Sequence, residues 1–215
     1  MMNEEEKVLS IQYKEKIYIF FRLLTHPIDA LNDVKYEKKG SLTIANIILF
    51  LFFLVHMFSS SKTGYLFLSS NEVKVNIISV FLTSVGAVAL WNVCNWAVCT
   101  LFDGEGSFRE IWIMTCYSIL PYVILQPMIV LFSNVLSIDE TVLYSTLSTL
   151  AMAWFLLLAF LSMMVCQQFT VTKTIVLAIV TFLAILAVAF LALMLFSTSQ
   201  QIIGFVKNIV LELLL

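Results

Sequence analysis

The chain has 215 residues, of which 61% are hydrophobic and only 12% charged, and its formal net charge is −2. Soluble domains carry about a quarter charged residues, so a mean hydropathy of +0.99 implies that lipid solvates much of the exterior. The small negative charge gives no footing for nucleic acid, and four cysteines without CxxC spacing (Cys94, Cys99, Cys116, Cys166) read as small packing hydrophobes, not a disulfide or metal framework.

The opening MMNEEEK is acidic where a signal peptide needs a basic start, so cleavage is not expected. Residues 7–39 are amphipathic and contain no span. Ile17, Ile19, Phe20, Phe21 and Leu24 alternate with Lys14, Lys16 and Arg22. That mixture suits a helix in the headgroup layer with snorkelling basic stems, and equally one packed on the protein's own cytoplasmic face. Pro27 interrupts it, because a proline pushes the preceding residue out of the α region. A second short helix is expected to end at Gly40, with Lys35, Lys38 and Lys39 in or after its last turn.

Five apolar segments follow: Ser41–Ser60, Ile77–Phe102, Ile111–Phe132, Leu147–Cys166 and Thr174–Phe196. Each reaches the ~20 helical residues that cross a ~30 Å hydrocarbon core, and none contains Asp, Glu, Lys or Arg. The short link 167–173 makes the fourth and fifth spans antiparallel neighbours. Seven of the twelve Lys and Arg precede the first span. With the N-terminus inside, Arg109 and Lys173 join them, against Lys62, Lys74 and Lys207 outside. The positive-inside rule therefore predicts an N-in protein with its C-terminus out. The tail SQQIIGFVKNIVLELLL carries Gln201, Gly204, Asn208 and Glu212 as a narrow polar stripe, which suits a separate interfacial helix.

Catalytic signatures such as HExxH, GxSxG and a Walker loop are absent, and the two histidines, His26 and His56, stand apart. No catalytic residue, cofactor or metal is expected. Asp103-Gly104-Glu105 starts like a calcium loop, but the later ligand positions do not follow. The informative polar residues lie in spans two and three. Ser79, Thr83 and Ala87 make a small-residue face, and Asn92, Asn95 and Cys99 share another. Span three holds Tyr117, Ser118, Pro121, Gln126 and Pro127. Pro121 has no amide hydrogen and so leaves the Tyr117 carbonyl without its helical partner. Asn95, at matching depth, is the expected donor, which would make spans two and three a kinked hairpin.

These features resemble the Yip family (Ypt- or Rab-interacting membrane proteins), and within it the bacterial branch. The resemblance rests on the Pro27 lead-in, the five spans, the turn Gly104-Glu105-Gly106-Ser107-Phe108, and above all Tyr117-Ser118-Ile119-Leu120-Pro121. That last run is similar to the family's Gly-Tyr-Ser-apolar-apolar-Pro, with Cys116 in place of the glycine. The Asp-Leu-Tyr-Gly-Pro motif of eukaryotic members is not in this chain. In eukaryotes the family serves vesicle traffic between endoplasmic reticulum and Golgi, and some bacterial members are encoded beside carbohydrate ABC transporters.

The expectation is an all-α polytopic bundle: a cytoplasmic amphipathic segment (1–40), a five-helix transmembrane domain (41–196) and an amphipathic C-terminal helix (197–215). Its resemblance implies a non-catalytic scaffold or accessory protein of a bacterial cytoplasmic membrane. The bilayer and another integral membrane protein are its expected partners, with homo-oligomers open. The competing expectation is a channel or lipid pathway along Asn92, Asn95, Tyr117 and Gln126. The expected docking surface is cytoplasmic, built from Asp103, Gly104, Glu105, Gly106 and Phe108 with the lead-in.

Overall fold

The computed structural model describes residues 22–23, 26–36, 40–62, 76–133 and 141–214. The lead-in with Phe20, Phe21 and Leu24, as well as Lys38, Lys39, Lys74, Asp139 and Glu140, lies outside them. All regular structure within those residues is helical, and five helices are long and apolar enough to cross a membrane.

Helix α1 (Pro27–Tyr36) opens on the proline expected to interrupt the lead-in. At the first helical position the missing amide hydrogen costs nothing and the fixed φ favours the helix. Asp29 in its first turn and Lys35 in its last complement the dipole. Arg22, just upstream, pairs with Asp33. Ala30, Leu31 and Val34 are buried on one face, which packs on the fourth span and the start of the third.

The spans are α2 (Leu42–Lys62), α3 (Ile77–Leu101), α4 (Phe108–Ser118) with α5 (Leu120–Ser133), α6 (Thr141–Gln167) and α7 (Val171–Leu214). Asn76 caps α3 by accepting from the Ile78 amide, and the turn Leu82–Gly86 within it is π-helical. The extra residue of a π turn widens the helix locally. The third span breaks at Ile119, two residues before Pro121. There the Ile119 amide bonds back three residues to the Cys116 carbonyl, and the Val123 amide picks the helix up again from Ile119. The proline ring cannot sit against the carbonyl four residues earlier, so the chain makes the tighter three-residue bond at Ile119 and the next helical segment starts at Leu120. Pro127, by contrast, stays inside α5.

Three boundaries differ from the sequence expectation. Phe108, not Ile111, opens the third span, because Ser107 and Glu110 form a reciprocal capping box around it. The fourth span starts at Thr141, where hydroxyls of Ser145, Thr146 and Thr149 bond back to their own helix and leave it unbroken. The fifth does not end at Phe196. It runs on without a break to Leu214, so the tail expected as a separate helix at 197–215 continues α7. Thr198 and Ser199 donate to Met194 and Leu195 carbonyls in the same way, so the polar residues there do not interrupt it.

The two halves of span three form the centre. Helix α4 packs on α2 and α6, α5 packs on the same pair, and α3 leans on α7. Tyr117, Leu23, Leu31, Ile48, Met114, Ile119 and Leu158 are the largest fully buried apolar side chains of this core. Leu31 is a fully buried member on a helix outside the spans. Leu31→Ala should destabilise the fold by about 2–5 kcal/mol through lost transfer energy plus a cavity. The drop in thermal unfolding midpoint in mild detergent measures it, with membrane insertion unchanged.

Candidate functional site

Helix α1, the turn between α3 and α4 and the turn between α6 and α7 all meet at one end of the bundle, here the proximal end. Two helices stop there in the same way. The Gly104 amide bonds to the Cys99 carbonyl and the Phe169 amide to Met164, the long bond of a Schellman closure. Each closure needs one residue in the left-handed region, and Asp103 (φ 58°) and Gln168 (φ 55°) take that place. Asp tolerates this conformation because its short side chain can bond locally.

Side chains distant in sequence then satisfy the remaining carbonyls. Lys35 Nζ donates to the Cys166 and Val165 carbonyls at 2.7 and 3.2 Å, at the end of α6. Lys173 Nζ donates to the Phe102 carbonyl at 2.8 Å, just past α3, and sits 4.1 Å from the centre of the Phe169 ring. A cation at a helix C-terminus is doubly favoured, by the dipole and by unmade backbone bonds. Gln167, 2% exposed, accepts the Gly106 amide on Oε1 at 3.0 Å. The Gln167 bond fastens the α3–α4 turn to the end of α6, Lys35 ties α1 to the same end, and Lys173 ties the start of α7 to the end of α3.

The glycines of that turn serve this closure. A Cβ at Gly104 would lie 2.3 Å from Gln167 Oε1 and 2.9 Å from the Cys99 carbonyl oxygen. One at Gly106 would lie 2.9 Å from Cys166 Sγ. The space beside Gly104 and Gly106, expected to form part of a docking surface, is therefore taken up by Gln167 and Cys166 of the chain's own fourth span. Phe108 is 40% exposed and packs edge-on to Trp96, 5.9 Å away, and beside Trp112. Trp112 in turn donates to Asn46 Oδ1 on α2. This trio has the make-up of an interfacial aromatic belt. Asp103 and Glu105 remain exposed beside it.

The polar residues of spans two and three are buried, but they bond differently from the expectation. Among the described residues Asn95 accepts the Cys99 thiol on its own helix, and does not donate to the Tyr117 carbonyl. Asn92 donates to the Val88 carbonyl, and its Oδ1 has no partner among the described residues. The Tyr117 hydroxyl accepts the Ser41 amide at 3.5 Å, and Ser118 Oγ donates to the Leu158 carbonyl of α6 at 3.2 Å. Gln126 reaches Ser59 of α2. Span three thus uses its polar groups toward spans one and four, because those are the helices it packs against. Pro121 is buried at the break it causes. Among the described residues no three His, Cys, Asp or Glu side chains cluster as a metal site.

Sequence reasoning missed Gln167 and the distant reach of Lys35 and Lys173. A Gln-Gln pair in a seven-residue link was the available signal, together with the Ser107-x-x-Glu110 box. Gly104→Ala should cost about 1–3 kcal/mol by overpacking, and Gln167→Ala in the same chain should restore part of it. Thermal midpoints of the two variants and their combination decide this, and additive losses would contradict the contact.

A profile described as the Yip1 domain matches residues 21–194. No curated protein and no solved structure matches the chain.

Proposed function

The chain belongs to the Yip1 domain family, and on that premise we propose that it is a non-catalytic integral membrane scaffold or accessory protein that binds another membrane complex. One observation carries this reading. Helix α7 has 44 residues, a length of about 66 Å, or twice the hydrocarbon core. Its first turns pack on the bundle through Thr174, Leu177 and Thr181, yet every residue from 186 to 205 is exposed. This chain covers the first part of its longest helix and leaves the rest for lipid and for a partner.

The apolar part of that length, with Leu186, Phe190, Leu193 and Phe196 exposed, suits the side of another transmembrane helix. Beyond it, Ser197 to Gln201 and the following IIGFVKNIV extend past the hydrocarbon, where apolar residues in water call for a protein surface. A carbohydrate ABC transporter of a bacterial cytoplasmic membrane is the partner we place first, from the family resemblance, with a second copy of the chain next. In this reading the proximal end faces the cytoplasm, as the nine basic residues on that side favour. Asp103 and Glu105 add an exposed acidic edge to the contact. A permeation path draws less support, because Asn92, Asn95, Tyr117 and Gln126 are each at most 5% exposed and bond within the packed bundle.

Residues 197–205, 207 and 209 are all exposed, so removing the tail 197–215 should leave the packing of the spans intact. The truncated protein should insert and unfold at the same temperature as the full chain. It should also lose the membrane proteins that co-purify with the full chain in mild detergent, as read by mass spectrometry. Recovery of the same partners in the same amounts would move the docking surface elsewhere.

A further inference from the structure

Spans two and four do not close on each other. Between them lies a groove of about 390 Å³. Thr83, Ala87 and Trp91, four residues apart on α3, make one wall, and the π turn Leu82–Gly86 lies along it. Met152, Ala159 and Met163 of α6 make the other, and Thr115 of α4 lies between. The small-residue face of span two therefore lines a cavity of this chain. The hydroxyls in the α3 wall are already used, Thr83 donating to the Ser79 carbonyl and Ser84 to Val80. What the groove offers an occupant is aromatic, thioether and methyl surface.

At its proximal end the groove meets a chamber of about 10 Å³, with Trp91, Thr115, Ala159 and Met163 lining both. The chamber adds Asn95, Ser162 and Gln167. Asn95 accepts the Cys99 thiol and Ser162 donates to the Ala159 carbonyl. Gln167 differs. Its Oε1 must face the Gly106 amide, which is a donor, so the orientation of the amide is fixed and Nε2 is left over. That nitrogen is buried and has no partner among the described residues. A buried donor without an acceptor costs about 1–3 kcal/mol, and the chamber has room for about one oxygen atom.

Length identifies the occupant. From Met163 to Met152 α6 rises about 16 Å, which matches the ~15 Å hydrocarbon depth of one leaflet. Gln167 lies one turn beyond, at the end of the span, where acyl chains carry their ester carbonyls. We propose that the groove between α3 and α6 holds one acyl chain of a membrane phospholipid, with its ester carbonyl accepting a hydrogen bond from Gln167 Nε2. Met152 and Met163 let the walls adapt to chains of different length and unsaturation.

The test uses the full chain in vesicles of phosphatidylethanolamine and phosphatidylglycerol doped with a phospholipid bearing a diazirine in one acyl chain. After illumination, peptide mapping should place the label on residues 83–91 and 152–163 in excess over the exposed stretch 186–196. Ala87→Phe, at an exposed groove position, should lower groove labelling roughly tenfold, equivalent to about 1.4 kcal/mol, and leave labelling of 186–196 unchanged. Equal labelling of groove and exposed stretch in the natural protein overturns the proposal, since the groove is then ordinary lipid-facing surface. Competition in the natural protein tests the polar end without any variant. Unlabelled phospholipid should displace the probe. A free fatty acid displacing it better shows that the chain comes from that source and overturns the phospholipid assignment. An alkane of equal length that competes as well as either assigns the Gln167 chamber to a water molecule and overturns the hydrogen bond.

Discussion

A helix that stops leaves its last carbonyls unpaired, and in this protein two spans stop at the same end beside the apolar phase. Unsatisfied backbone groups are costly there because lipid has no donors to give. The answer is a set of side chains drawn from far along the sequence: Lys35 at the end of α6, Lys173 at the end of α3, and Gln167 at the Gly106 amide. Each bond also fixes a distance between elements. The amphipathic α1, the glycine turn and the α6–α7 turn become one closed surface because their polar backbone groups share partners.

That closure explains where the rest of the bundle can open. Helix α4, buried over most of its length, stands between α3 and α6 at the proximal end and holds them apart. Farther from the closure the π turn and the small residues of α3 leave the groove. Among the described residues helix α7 is tied in near its start, by Lys173 and by the packing of Thr174, Leu177 and Thr181, and its residues 186–205 are exposed. One end is therefore rigid and internally satisfied, while two apolar features face outward: a groove of one-leaflet depth and a helix longer than the membrane is thick. The proposed scaffold role and the proposed lipid site both rest on that division.

The spans were legible in the sequence because hydropathy and length are the same signal that the bilayer imposes. Their neighbours were not. Asn95 and Tyr117 lie at similar depth, yet depth says nothing about which face a helix turns to which neighbour, and span three turned its hydroxyls to spans one and four. The glycine pair was visible as a place of close approach, but whether a partner or the chain itself approaches depends on Gln167, sixty-one residues from Gly106. Boundaries slipped wherever hydroxyl residues looked like breakers. Ser145, Thr146, Thr149, Thr198 and Ser199 bond back to their own helix, and α6 and α7 run through them. The capping box at Ser107 was a local signal and could have been used. The tether from Lys35 had none.

Hydrogen exchange of the proximal turn tests the central claim most directly. In the natural protein the peptide containing Gly104 to Phe108 should exchange slowly although it is a turn, because Gly104 and Gly106 amides are both bonded. Gln167→Met keeps the volume and removes the acceptor. It should speed exchange of that peptide roughly tenfold, the loss of about 1.4 kcal/mol of protection, while the peptide covering 111–118 stays protected. Unchanged slow exchange in the variant, or fast exchange already in the natural protein, would mean that Gln167 does not fasten the turn to α6.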